Sequence, residues 1–282
     1  MKNLYTLALA FITFATFAQN EKSLLYRVSG NGITTPSYIF GTIHISCEVK
    51  LDEAIQKALL ETNQLYLELD MDDPEMQMNM MKSINMKDGV TISSLVSAED
   101  FKLLDDYMLS KMKVSAKSFD TYKPFVLSSM FLTTLLDCSP QSYENELVAI
   151  STQQKEPIYG LETVQEQMDI FDQIPYQLQA EELIKSIKNN FKEDKIELSL
   201  MFKTYASKDL NEMERLSRSS KNVISSDYQD LLLKNRNLNW IPLIERITRT
   251  QPTFFGVGAA HLAGDEGVLN LLRKNGFTVE AL

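Results

Sequence analysis

The stretch Thr253-Phe254-Phe255-Gly256-Val257-Gly258-Ala259-Ala260-His261 decides the predicted fold, because it joins a hydrophobic strand to a glycine turn and a histidine. A second stretch, Tyr38-Ile39-Phe40-Gly41-Thr42-Ile43-His44, has the same order of features near the other end of the chain. The chain contains only 2 histidines, and each of them closes a Gly-x-x-His motif after a strand. We therefore interpret His44 and His261 as two halves of one site.

Strands and helices alternate around both stretches. The strand over 37–42 is followed by a helix over roughly 52–61 and by a strand over 65–70, in which leucine alternates with polar residues. The strand over 253–257 is followed by a helix that includes 268–272 and by a last strand over 277–279. Each series is a βαβ unit, which implies parallel strands and a right-handed crossover. The sequence therefore predicts an α/β fold whose central, mostly parallel sheet is formed by N- and C-terminal βαβ units.

The middle of the chain is predominantly helical by its pattern. Asp73 and Pro74 predict a helix start, Ser97 predicts another, and Thr163 with Glu166 forms a capping box. Residues from about 74 to 150 are interpreted as a large helical insertion into an α/β domain that covers 19–282. Strands are also predicted over 24–29 and 157–162, and further helices over about 124–137 and 143–154. Helices continue to about residue 250, with breaks predicted near Pro175, Asn189, Ser207, Ser219 and Pro242.

The first 18 residues have the features of a secretory signal peptide. A basic start precedes an apolar run over 4–17, which is too short to span a bilayer comfortably, and small residues allow cleavage after Ala18. No cysteine stands directly after this run to carry a lipid anchor, and no later stretch is long and apolar enough to form a transmembrane segment. We expect an exported protein that is periplasmic or extracellular.

Net charge and cysteine content limit the kinds of binding partner and of cysteine function that we expect. A net charge of −10 disfavours nucleic acid and anionic membrane surfaces, and it is compatible with a metal cation or a basic peptide. Cys47 and Cys138 are the only 2 cysteines, and an exported protein favours a disulfide between them. Alternatively, Cys47 is a third metal ligand, because His44-x-x-Cys47 is a possible ligand spacing.

Three charged residues join the histidines as candidates for chemistry. In an open parallel sheet ligands bind beyond the carboxyl ends of the strands, where both histidines stand. Glu68 ends a strand that should pair near His44, and a buried carboxylate is costly unless it is paired or functional. Glu162 is either a partner of a histidine or a charge at a helix start. Arg236 could stabilise an oxyanion, although the sequence alone favours a surface arginine.

Other motifs are absent or weak. The chain has no Gly-x-Ser-x-Gly, Walker, His-Glu-x-x-His or dinucleotide motif. The segment 71–86 holds 6 of the 13 methionines. This composition favours an adaptable apolar face, in the core or along a substrate groove, over a copper site.

The sequence resembles the TraB/PrgY/GumN family, which includes the TIKI metalloproteases, over nearly the whole chain after the leader. The resemblance implies a fold related to ChaN-like and erythromycin-esterase-like proteins, and a site built from His44, Glu68 and His261. It implies a peptidase that depends on a divalent metal, with manganese or cobalt favoured. Other relatives bind haem, act on peptide pheromones or hydrolyse esters without a metal, so family membership does not fix the reaction. The matching segments are 40–44, 67–70, 160–163, 236–237 and 257–264.

The leading hypothesis is an exported hydrolase of peptides or small molecules. In it His44, Glu68 and His261 hold a divalent metal or its activated water, and Glu162 or Arg236 supplies support or charge stabilisation. One alternative is a non-catalytic protein that binds a peptide or haem, with the two histidines as axial ligands of the iron. Another is a metal-free, esterase-like hydrolase in which a histidine is the base and Glu68 orients it.

Overall fold

A six-stranded sheet carries the fold in the computed structural model, which describes residues 22–282. The order across the sheet is β4-β3-β5-β2-β1-β6. The predicted signal peptide, with its cleavage after Ala18, lies outside the described residues. The strands are β1 Leu25–Gly30, β2 Ser37–Thr42, β3 Leu65–Leu67, β4 Ile158–Gly160, β5 Phe254–Gly258 and β6 Phe277–Ala281.

The strand β5 occupies the centre of the sheet and explains its topology. It pairs in parallel with both β2 and β3, and β3 pairs in parallel with β4. The strand β1 is antiparallel to β2 and to β6. The predicted α/β class with a mostly parallel sheet is therefore confirmed.

Two details of the predicted pairing are wrong. The strands β2 and β3 belong to one βαβ unit, but β5 lies between them, and β6 pairs with β1 instead of β5. All five residues of β5 are buried, which suits a central strand covered on both faces. The βαβ pattern specifies that strands run parallel, and a distant strand can still enter between them.

The two faces of β5 pack into separate hydrophobic cores, as expected when side chains alternate along a strand. Phe255 and Val257 lie in a core with Trp240 and Leu272. Phe254 lies on the other side, in a core formed with Phe40, Ile55, Leu59 and Leu147. Helices therefore cover both faces and leave the carboxyl ends of the strands for a site.

Thirteen α-helices lie within residues 22–282, and across this range no helix combines the length and apolar character needed to cross a bilayer. A π-helix, Asp230–Lys234, directly precedes α12. The α-helices are α1 Glu53–Leu60, α2 Met76–Ser83, α3 Ile92–Leu95, α4 Ala98–Met112, α5 Pro124–Thr134, α6 Tyr143–Gln154, α7 Val164–Asp172, α8 Tyr176–Lys188, α9 Lys192–Ala206, α10 Leu210–Arg218, α11 Val223–Asp227, α12 Asn235–Thr250 and α13 Val268–Lys274.

Side-chain caps decide which predicted helix starts are correct. Ser97 caps α4 and Thr163 forms the predicted capping box of α7 with Glu166, so both starts are confirmed. The start at Asp73 is wrong, because its carboxylate accepts the Glu75 N–H in a turn and α2 begins at Met76. The break at Pro242 is also wrong.

Pro242 lies inside α12, whose buried face includes Trp240, Ile241 and Ile244. Packing of this face against the sheet offsets the loss of one backbone hydrogen bond.

The helices between β3 and β4 build a third core, which α8 completes. This core joins Leu104 and Met108 of α4 to Phe131 of α5 and to Leu183 and Ile187 of α8. The helical layer is therefore assembled from segments on both sides of β4 in the sequence. Part of the methionine-rich segment forms α2, in which Met78 and Met81 are exposed.

A buried lysine ties this helical layer together. Lys123 is 1% exposed, and its Nζ donates to the backbone carbonyls of Ser83 and Asn85. The same Nζ lies 3.1 Å from Asp172 Oδ1, and Asp172 Oδ2 lies 2.8 Å from Lys87 Nζ. The end of α2, the start of α5 and the end of α7 therefore meet at one compensated charge.

Removing this buried charge should destabilise the fold strongly. We expect Lys123→Met to lower the free energy of unfolding by about 3–5 kcal/mol, because it leaves Asp172 short of a partner. Lys102→Met is the matched control, since Lys102 pairs with Asp106 on an exposed helix surface and its loss should cost less than about 1 kcal/mol. Urea denaturation followed by circular dichroism measures both. Equal losses in the two variants would contradict a structural role for Lys123.

Candidate functional site

The structure brings His44, Glu68 and His261 together beyond the carboxyl ends of three adjacent strands. His44 follows β2, Glu68 directly follows β3, and His261 ends a short 3-10 turn after β5. Glu68 Oε1 lies 4.0 Å from His44 Nε2 and 3.7 Å from His261 Nε2. Because β5 lies between β2 and β3, the two histidine motifs and the carboxylate meet at one edge of the sheet.

Glycine allows this close approach. A Cβ at Gly258 would lie 3.2 Å from Glu68 Oε1 and 3.3 Å from His44 Nε2. The backbone N–H of Gly258 donates to Glu68 Oε1 at 2.8 Å. A Cβ at Gly41 would lie 3.1 Å from the Cα of Ala259. The glycine of each Gly-x-x-His motif therefore leaves space for residues of the other motif and for Glu68.

His261 is a buried, neutral imidazole with one lone pair directed into the site. Its side chain is 4% exposed and its ring lies 4.4 Å from the Trp240 ring. The Nδ1 atom is 2.6 Å from Asn237 Oδ1, an acceptor, so Nδ1 carries the hydrogen. Arg236 Nη1 donates to the remaining Nε2 at 2.9 Å. Burial lowers the pKa of His261 to about 3, so the ring is neutral at pH 7.

His44 has the opposite environment. Its side chain is 64% exposed, and its Nδ1 lies 2.7 Å from Glu144 Oε1. Desolvation lowers the pKa of His44, but the hydrogen bond to Glu144 and the charge of Glu68 outweigh it and raise the pKa to about 9. Burial raises the pKa of Glu144, yet the contact with His44 brings it down to about 2. Glu144 also accepts from the hydroxyls of Thr42 and Ser142, each at 2.6 Å.

Glu144 is the functional candidate that sequence reasoning missed. It lies in the first turn of α6, where an acidic residue is ordinarily explained by the helix dipole. It is 100 residues away from His44 along the chain, so no local pattern connects the two.

Arg236 is a buried cation shared by two carboxylates. Its side chain is 13% exposed, and its Nη2 lies 2.6 Å from Glu68 Oε2. Its Nε donates to Glu162 Oε1 at 3.0 Å, and Gln167 Nε2 donates to the same oxygen at 2.7 Å. Burial alone would raise the pKa of Glu68, but its electrostatic interactions with His261 and Arg236 hold it well below its usual range.

Two expectations for these residues change. The interpretation of Arg236 as a surface arginine is wrong, because the guanidinium lies inside the site. Glu162 contacts Arg236 and the Nε1 of Trp240, at 3.3 Å, and it supports the site through them rather than through a histidine.

The cysteines are joined. Cys47 and Cys138 form a disulfide, with 5.6 Å between their Cα atoms, so the predicted crosslink is confirmed. The alternative of Cys47 as a metal ligand is wrong, because a metal-binding cysteine needs a free thiolate.

The donor set suits a divalent cation in its chemistry. Asn237 and Glu144 hold the Nδ1 atoms of the two histidines, the partners that metal-bound imidazoles usually have. Within residues 22–282 no three His, Cys, Asp or Glu side chains already stand in a metal-holding geometry. Metal–ligand distances of about 2.0–2.2 Å put tetrahedral donors about 3.4 Å apart, so Glu68 Oε1, at 3.7 and 4.0 Å from the two Nε2 atoms, needs only a small approach to each histidine. A cation bound to His261 Nε2 would also have to displace the hydrogen bond that Arg236 donates to this atom.

The charges favour such an ion as well. The guanidinium of Arg236 pairs with the carboxylates of Glu68 and Glu162, and Glu144 pairs with His44. Three carboxylates and one arginine leave two excess negative charges when both histidines are neutral, and one when His44 is protonated. Buried charge without compensation is unfavourable, so the site gains from a positive species between the histidines.

Comparison with known proteins identifies a family for this chain. A family model described as the TraB/PrgY/gumN family matches residues 24–281, a range that contains every site residue described above. No curated protein and no solved structure matches the chain.

The two histidines should titrate at opposite ends of the pH scale. In cation-free protein, NMR titration of the ring protons should give a pKa near 9 for His44 and near 3 for His261. Glu144→Gln should lower the pKa of His44 and leave that of His261 unchanged. Glu146→Gln, an exposed change on the same helix, is the control and should alter neither value. An unshifted His44 pKa in Glu144→Gln would refute the pairing.

The same shifts predict how stability depends on pH. His44 has a raised pKa, so its contribution is present below about pH 6.5 and is lost as the pH rises towards 9. His261 has a lowered pKa, so its contribution is present above about pH 6.5 and is lost as the pH falls towards 3. The contribution of the two histidines to the denaturation midpoint should therefore be largest near pH 6.5. Below about pH 6.5, the denaturation midpoint of His261→Gln should depend less on pH than that of the wild type, because the variant lacks this histidine.

Proposed function

The chain belongs to the TraB/PrgY/gumN family, and from this premise we propose that it is an exported hydrolase that cleaves peptide bonds with the help of a divalent cation. One observation carries the proposal. Two imidazole Nε2 atoms lie within 4.0 Å of one carboxylate oxygen, and each imidazole is oriented through its Nδ1. This arrangement supports one cation with an open position for water.

In this proposal His44, Glu68 and His261 hold the cation. Imidazole and carboxylate donors together suit manganese or cobalt, the ions that the family resemblance favours. When bound, such an ion lowers the pKa of water and polarises a scissile carbonyl. Glu144 and Asn237 keep the two rings in the orientation that directs Nε2 inward, and the Gly258 N–H orients Glu68.

Arg236 is suited to stabilise negative charge that develops on the substrate. Its guanidinium is held by Glu68 and Glu162 and lies 4.9 Å from the centre of the Trp240 ring. A buried, preoriented cation contributes more to the stabilisation of an oxyanion than an exposed one, because little reorganisation is needed. Gln167 holds Glu162 from the side and restricts the positions open to Arg236.

A second candidate function is a metal-free hydrolase, and a specific contact favours it. Arg236 Nη1 already donates to His261 Nε2 at 2.9 Å, so this lone pair is in use. His44 then remains as an exposed base whose Nδ1 is held by Glu144. In this alternative Glu144, rather than Glu68, orients the histidine that takes the proton from water.

Haem binding has less support. Glu68 Oε1 lies within 4.0 Å of both Nε2 atoms, in the space that a haem plane between two axial histidines would need. The same position favours a small cation.

Cation content and cleavage should change together if the proposal is correct. We expect purified protein lacking the leader to carry one manganese or cobalt ion and to cleave peptides, with activity lost on chelation and restored by manganese. His44→Ala and His261→Ala should each reduce affinity and cleavage by more than about 100-fold, since loss of an outer partner alone costs about 10–100-fold. Glu146→Gln is the control and should retain both. Full cleavage in folded His44→Ala protein would refute the assignment.

Activity that survives exhaustive chelation would select the metal-free alternative. In that case the rate should increase as the pH rises towards the pKa of His44, near 9, because the base must be neutral. Glu144→Gln should then move the pH profile to lower pH. A profile that does not move would exclude His44 as the base.

A further inference from the structure

The two histidines of the site are held in place by different means. His261 is 4% exposed, packs against Trp240 and is bonded to Asn237 of the same buried layer. His44 is 64% exposed and lies outside every helix and strand, with Glu144 as the hydrogen-bond partner of its ring. Packing therefore positions His261, while the position of His44 depends on the segment that carries it.

That segment is tied to the segment that leads into Glu144. The loop after β2 carries His44 and Ser46, and the loop between α5 and α6 carries Gln141 just before Glu144. Ser46 and Gln141 exchange both backbone hydrogen bonds, each at 2.8 Å. Gln141 Oε1 accepts a further bond from the Val49 N–H at 3.1 Å. Both loops are partly or fully exposed, so water competes for these bonds.

The Cys47–Cys138 disulfide makes the same connection covalently. Cys47 is three residues after His44, and Cys138 is six residues before Glu144. The crosslink closes a sequence separation of 91 residues, so it removes much of the freedom that the two loops would otherwise have. Cys47 is exposed, which leaves the disulfide open to attack by a dissolved thiol.

We infer that the Cys47–Cys138 disulfide is a positioning element of the site, which holds His44 against Glu144 and makes cation binding sensitive to a dithiol reductant. Two electrons and two protons pass from the dithiol to the disulfide, which gives two cysteine thiols and the cyclic disulfide of the reductant. The inference rests on the proposed function for its cation, and on the loop geometry alone for the position of His44.

The first test compares manganese affinity by calorimetry in wild type and in Cys47→Ser/Cys138→Ser. We expect the affinity of the double variant to fall by about 10–100-fold, the usual cost of losing the outer partner of a metal-bound histidine. Wild type that is reduced and then freed of reductant under anaerobic conditions should fall equally. Reductant should have no effect on the double variant, because the chain has only 2 cysteines. Unchanged affinity in both the double variant and the reduced wild type would overturn the inference.

The second test needs no cation. With only 2 histidines in the chain, the ring-proton signals of His44 and His261 can be assigned from one variant of each. Reduction should move the His44 signal towards that of a free imidazole and leave the His261 signal in place. If both signals change together with loss of circular dichroism, the disulfide supports the whole fold and the inference is wrong. If oxidised wild type binds no manganese, the proposed cation fails, and the His44 signal still decides the inference.

Discussion

The burial of one carboxylate, Glu68, is the constraint on which the site depends. An ionised carboxylate removed from water costs several kcal/mol unless the protein replaces its solvation. Gly258 N–H and the Arg236 guanidinium supply that replacement, at 2.8 and 2.6 Å. Arg236 is itself buried and requires Glu162 as a second partner. Charge compensation therefore links the site residues that follow β3, end β5, begin α12 and connect β4 to α7.

The sheet register makes this compensation possible. Thr42 is opposite Gly258 and Gly41 is opposite Val257, so the two Gly-x-x-His motifs leave their strands at nearly the same level. Parallel neighbours point their carboxyl ends in one direction, and a histidine three residues beyond each glycine reaches the same space. A side chain at Gly258 would fill the gap between Glu68 and His44, which explains why the central strand ends in glycine.

The parts of the fold that local physics determines could be predicted, and the parts that distant residues determine could not. The limits of β2 and the cap at Thr163 follow from neighbouring side chains, and both are as predicted. The entry of β5 between β2 and β3 depends on residues almost two hundred positions away. Arg236 looked like a surface residue for the same reason, because its burial is compensated by two distant carboxylates. Glu144 carried an adequate local explanation as a helix-start charge, and this hid its contact with His44.

The contrast between the histidines bears on how a cation would enter. The Nε2 lone pair of His261 accepts from Arg236, while His44, whose pKa is raised to about 9 by Glu144 and Glu68, is protonated at neutral pH. That proton supplies part of the positive charge that three carboxylates and one arginine leave lacking. A divalent ion would replace it, since a metal-bound imidazole must be neutral. On the proposed function, binding therefore releases a proton from the exposed histidine, and the buried histidine exchanges its bond from Arg236 for the ion. Competition with a proton at His44 would therefore control cation binding on the exposed side of the site. The position of Arg236 would control it on the buried side.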